Sequence, residues 1–164
     1  TAHAHPAATS LHGGGCPGSR MMDFGDRQPT ASEGQQGSSQ SELRHWPVKI
    51  NLVHPQAPYF QNAHLLVAAD CAPFAYASLH PDFLRGKAVV IGCPKFDDLG
   101  SYHQKLAAIV RGNDIQSITV LHMEVPCCFG LAQAVKQAVA DSGKDVPVKV
   151  KVVGVSGELT RPMF

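Results

Sequence analysis

The sequence has no excess of charge of either sign: 14 Lys and Arg stand against 13 Asp and Glu, a formal net charge of +1. So weak a field does not steer a chain onto nucleic acid or an anionic membrane, and neither is expected as a partner. No apolar run approaches the roughly 20 residues of a membrane-crossing helix. The longest, from Leu65 to Ala69 and from Ala88 to Gly92, have the length of strands. Cys-x-x-Cys pairs, which build zinc ribbons and ferredoxin loops, are absent. Gly13-Gly14-Gly15 neither follows a strand nor opens a clear helix, so nucleotide binding is not expected. Ser156-Gly157-Glu158 is no nucleophile elbow, and no Ser, His, Asp order suggests a hydrolase triad.

What is present is a single-domain length of 164 residues, enough apolar side chains for a core, five cysteines and nine histidines. Cys16, Cys71, Cys93, Cys127 and Cys128 are odd in number and widely spread, unlike a disulfide framework, and free thiols point to a reducing cytoplasm. Residues 1–45 contain 11 apolar residues, about a quarter, and hold His3, His5, His12 and a Gly/Ser/Gln tract. They read as an extended Gly/His-rich N-terminal arm and linker, with an ordered island from Cys16 to Phe24.

Residues 46–164 read as a single α/β domain: a mostly parallel sheet of about five strands flanked by helices, Rossmann-like or flavodoxin-like. The expected strands are Pro47 to Val53, Leu65 to Asp70, Lys87 to Cys93, Ser117 to His122 and Val148 to Val155. In the last, Val148, Val150 and Val152 alternate with Lys149 and Lys151, which predicts an edge position. Amphipathic spacing predicts helices over Ser101 to Gly112 and Gly130 to Ser142, the second stopped by Gly143. A shorter helical segment, broken by Pro81, is expected from Pro73 to Leu84.

On this scheme Cys71 follows one strand, Cys93 closes another, and Cys127-Cys128 lie between a strand and a helix. All are carboxyl ends, the edge where open α/β sheets bind ligands. A helix beginning just after Cys128 is expected to lower a nearby thiol pKa. Four thiolates, with Cys16 supplied by the arm, suit zinc or an iron–sulfur cluster; ligands scattered over separate loops fit a [4Fe-4S] cubane better. Adjacent Cys127 and Cys128 are expected to project apart, one ligating while the other packs, serves a second metal or stays free. His122, Glu124 and Asp70 flank these loops and are candidates to tune a cluster from behind its ligands, against the blander roles of packed histidine and capping carboxylate. His-x-His in the arm reads as an ordinary His-rich tail. Alternatives are a metal-free thiol enzyme or redox sensor using Cys128, and a structural zinc-binding interaction module.

The strings Ile91-Gly92-Cys93-Pro94-Lys95 and Met123-Glu124-Val125-Pro126-Cys127-Cys128, with Gly15-Cys16-Pro17-Gly18-Ser19-Arg20-Met21-Met22-Asp23-Phe24 upstream, resemble the C-terminal region of ferredoxin-like iron–sulfur proteins of anaerobic bacteria. The resemblance covers residues 12–158 and implies a redox or metallocluster context, hence electron transfer or cofactor handling with a redox partner protein. The chain departs from that pattern at Phe129, where a glycine is usual, and it lacks the separate module of clustered cysteines.

Overall fold

The computed structural model describes residues 16–25 and 40–160; the arm histidines His3, His5 and His12, Gly13 to Gly15 and most of the polar tract lie outside the described residues. Five strands form the main sheet: β3 (His64–Ala69), β4 (Lys87–Gly92), β5 (Ser117–Met123), β6 (Val148–Val153) and β7 (Leu159–Thr160), in the order β4-β3-β5-β6-β7. The first four are parallel and β7 returns antiparallel to β6. Two short strands that precede them, β1 (Met22–Asp23) and β2 (His45–Trp46), pair antiparallel with each other.

β3 is central because it can be: Leu65 to Ala69 is apolar at every position and buried on both faces. Its register with β4 on one side and β5 on the other brings Ala68 level with Ile91 and Leu121. β6 alternates as its sequence suggests, with Lys149 and Lys151 exposed, yet it is next to last in the sheet: β7 covers Val152 and Val153 at its end.

The segment Pro47 to Val53 is not a strand. Lys49 makes one parallel bridge to Ile91, and the chain then turns, with Leu52 and Val53 N–H both donating to Lys49 O. Ile50 and Val53 are both buried while Leu52 is exposed. The apolar content is therefore spent at the i, i+3 spacing of a turn, not the alternation of a strand. With no strand there, no parallel crossover is needed before β3, and a turn of 3-10 helix at Pro58–Phe60 suffices.

Helix α1 (Ala72–Ala75) and a π-type turn at His80–Leu84 replace the one helical segment expected around Pro81. α2 (Leu99–Gly112) begins two residues before the expected start because the Asp98 side chain caps it, accepting from Ser101 N–H at 2.7 Å. α3 (Phe129–Ser142) ends at Gly143, whose φ of 71° supplies the left-handed cap. α2 and α3 pack together, joined by His103 Nε2 to Asp141 at 2.7 Å. Right-handed crossovers put these two on one face of the sheet and α1 on the other.

Candidate functional site

The order β4-β3-β5 creates a switch point. After β3 the chain moves outward to β4, and it re-enters the sheet on the opposite side of β3 as β5, so the connections leaving β3 and β5 diverge to opposite faces and open a crevice. Cys71 is the residue before α1, at the end of β3. Cys127 and Cys128 form a 3-10 turn with Pro126 that runs directly into α3, at the end of β5. Thiols distant in sequence thus lie along one edge, at the ends of adjacent strands on the two sides of the crevice. Cys71 and Cys127 are exposed and Cys128 is buried, all three free.

Beyond Ala68 and Leu121, β3 no longer pairs with β5, and side chains take over at Met123, which is still paired with Val153 of β6. The Met123 N–H reaches the Cys128 sulfur, and its carbonyl accepts from His122 Nδ1 at 2.7 Å. His122 is buried and packs edge-on against the Phe129 ring, with centroids 5.8 Å apart. The Phe129 ring thus closes over His122.

Cys127 and Cys128, adjacent in one helical turn, differ in exposure, the first open to solvent and the second buried. One expectation is corrected here. The Cys128 pKa is not lowered: burial pushes it up to about 11, the Met123 backbone opposes this, and the charges of Cys127 and Cys71 add to the rise. Desolvation of a thiolate outweighs the helix start because the sulfur lies inside the protein rather than in front of the N-terminal N–H groups.

Cys93 stands one strand further out, half-buried, at the end of β4. Its N–H donates to the Tyr102 hydroxyl at 2.9 Å and to Asp97 Oδ2 at 3.3 Å. Tyr102 is fully buried and donates in turn to Asp97. That hydrogen bond is the main cause holding the Asp97 carboxyl below its usual range, and burial is the main cause raising Tyr102. A Cβ on Gly92 would collide with the Tyr102 hydroxyl, so the glycine is what admits it. Lys49 completes the group, with Nζ 2.6 Å from Asp70 Oδ2 and 3.8 Å from Asp97 Oδ2. Asp70 Oδ1 is buried without a hydrogen-bond partner. Asp70 therefore serves the Lys49 network between β3 and β4, and Glu124 caps the β6–β7 turn through Val155 N–H at 2.9 Å. Sequence reasoning missed Lys49, Asp97 and Tyr102; the adjacency of Gly92-Cys93 to Asp97 was the available signal, but nothing in the sequence says that Tyr102 points back at it.

Cys16 precedes the Pro17–Ser19 turn, which hangs on Trp46 through its Nε1 to Gly18 O at 2.8 Å, on the outer flank of β4. Among the described residues no contact joins its exposed sulfur to the other thiols, and no group of three or more His, Cys, Asp or Glu side chains converges as a cage for one metal ion. Around the crevice the large apolar side chains of Phe74, Phe96 and Val155 are 93%, 83% and 67% exposed, one each after β3, β4 and β6. A separate cavity of about 230 Å³, lined by Asp23, Tyr59 and His64 among others, opens at the opposite, amino edge and contains no thiol. No helix among the described residues is long and apolar enough to cross a membrane.

An uncharacterized protein of Archaeoglobus fulgidus is 38% identical over 116 residues, spanning 71% of this chain and 81% of the archaeal one. No solved structure matches. The family model of the Rossmann-like domain matches residues 57–163, from just before β3 to the end of the sheet, and the chain belongs to that family.

Proposed function

We propose that the protein binds an iron–sulfur cluster, of [4Fe-4S] type, through thiolates at the carboxyl edge of its sheet, and that it acts in electron transfer or cofactor handling. The observation that carries this reading is the placement of Cys71 and of Cys127 and Cys128 at the carboxyl ends of adjacent strands, flanking the switch point. The donor set fits: each thiolate of a cubane binds its own iron corner, so its ligands need not converge as the ligands of one zinc ion must. Cys71, Cys127 or Cys128, and Cys93 from the neighbouring loop would hold the cluster, with Cys16 as the candidate fourth ligand from the flank. Bound there, the cluster would supply one-electron chemistry. His122 and the Lys49 network would set the charge and hydrogen bonding behind the ligands.

The exposed Phe74, Phe96 and Val155 rim the same edge and support approach of a redox partner protein, in a reducing cytoplasm. Anaerobically purified protein is expected to contain iron and acid-labile sulfide with charge-transfer absorption, and Cys71→Ala to bleach it. Folded, colourless protein free of both elements overturns the reading. Metal-free thiol chemistry is the second reading, and the exposure of Cys71 and Cys127 favours those two over Cys128 as its nucleophile.

A further inference from the structure

The thiol edge leaves the opposite end of the sheet without a role, and the cavity of about 230 Å³ opens there. We propose that this amino-edge cavity is a second binding site, which takes a small uncharged lactam or ureide ring, the chemistry of a pyrimidine base, on the Tyr59 hydroxyl and the Asp23 carboxylate. It shares no residue with the proposed cluster site.

The wall is assembled from separate elements. Asp23 comes from β1, His45 from β2, His64 from β3 and Ala88 from β4, with Tyr59 and Asn62 in the connection before β3. Its base is rigid. His45 is fully buried and commits both ring nitrogens to the backbone, at Pro47 O and Val89 N–H, so neither is left for a ligand. Its work is to carry Tyr59: the two rings stack at 3.8 Å with 5° between their planes, and Phe60 closes edge-on against Tyr59 at 4.8 Å.

The Tyr59 hydroxyl held in this way is buried and has no hydrogen-bond partner. Buried polar groups are almost always paired, and one left unpaired on a side chain of a cavity wall calls for a partner that enters the cavity. The proton stays on. Burial, with the Asp23 charge adding to it, raises the Tyr59 pKa to about 12, so the group donates and needs an acceptor. Asp23 needs the opposite. It lies across the ladder from His45, and its side chain accepts from Gly25 N–H at Oδ1, 2.9 Å away, which leaves Oδ2 for N–H donors. Asn62 lines the same cavity with a side-chain amide that both donates and accepts.

Size and charge narrow the class. The volume of about 230 Å³ is below the roughly 300–1,000 Å³ of pockets for drug-sized ligands, which suits a single ring and is too small for a dinucleotide. The formal charges of Asp23 and Arg44 on the wall cancel, which favours an uncharged molecule over a phosphate ester. A ring with C=O beside N–H supplies an acceptor and donors on one planar edge, as the two groups require.

The test titrates uracil and hydantoin into the full chain, followed by isothermal calorimetry and saturation-transfer NMR. Saturable binding at one site is expected. Uracil methylated on both ring nitrogens keeps its carbonyls but has no N–H donor, and it should bind about tenfold more weakly, as should uracil to Asp23→Ala. Tyr59→Phe keeps the stack on His45 and removes the hydroxyl. It should weaken uracil about tenfold and leave the urea midpoint of the ligand-free protein unchanged or raised, whereas a hydroxyl serving the fold alone would show the reverse. No saturable binding of either ring up to about 10 mM, equal binding of the dimethylated ring, or unaltered uracil binding by Tyr59→Phe overturns the proposal. Iron and sulfide content decides the cluster reading separately, so the two fail independently.

Discussion

The main-chain N–H of Cys93 donates to the buried hydroxyl of Tyr102 at 2.9 Å. A side chain from the first turns of α2 thereby reaches under the end of β4 and fixes the loop that carries a candidate ligand. The contact exists only because position 92 is glycine.

Removing that hydroxyl should therefore loosen the loop. Tyr102→Phe deprives the Cys93 N–H of its better acceptor and Asp97 of its donor. It should cost about 1–3 kcal/mol, read as a lowered urea midpoint, because a buried polar group loses its partner. The Cys93 thiol should alkylate faster in the metal-free variant.

Filling position 92 attacks the same contact from the strand side. Gly92→Ala should destabilise by about 1–3 kcal/mol through overpacking against Tyr102. The double variant with Tyr102→Phe should lose less than the sum of the two single losses, since both report one contact. Strict additivity in denaturation would mean that the hydroxyl and the glycine are unrelated.

His45 should make the fold acid-sensitive. It is fully buried and stacked on Tyr59 at 3.8 Å, its Nε2 accepts from Val89 N–H at 3.0 Å, and its Nδ1 donates to Pro47 O at 3.2 Å. Burial is the main cause lowering its pKa to about 4 from an ordinary 6.5. A depressed histidine contributes its stability in full above 6.5 and loses it as pH falls towards 4, a change on the order of 3 kcal/mol. Urea midpoints measured between pH 7.5 and pH 4 should fall, and His45→Gln should flatten that slope while lowering stability at pH 7.5.

Alkylation should sort the thiols by burial. In metal-free protein at pH 7.5, Cys71 and Cys127 should react with iodoacetamide well before Cys128, whose thiolate is disfavoured by a pKa near 11. The sign of that shift also predicts stability lost as pH rises from 9 through 11, because the folded state holds the proton more tightly. Peptide mapping that finds Cys128 modified first would contradict both statements.

By itself the sequence determined the apolar runs of β3, β4, β5 and β6, the helices α2 and α3 with the stop at Gly143, and the placement of Cys71, Cys93 and Cys127-Cys128 at carboxyl ends. These follow from periodicity and local capping, which neighbouring residues dictate. Pro47 to Val53 was misread because composition alone does not separate a strand from a turn that buries Ile50 and Val53. Only the tertiary structure decided which carboxyl ends adjoin, since strand order arises from long-range packing: β3 beside β5 puts Cys71 at the strand end next to that of Cys127 and Cys128, and sets Cys93 one strand away. It also decided the state of the thiols. A pKa or a hydrogen bond depends on what closes over the sulfur, and no neighbour in the chain reports that burial.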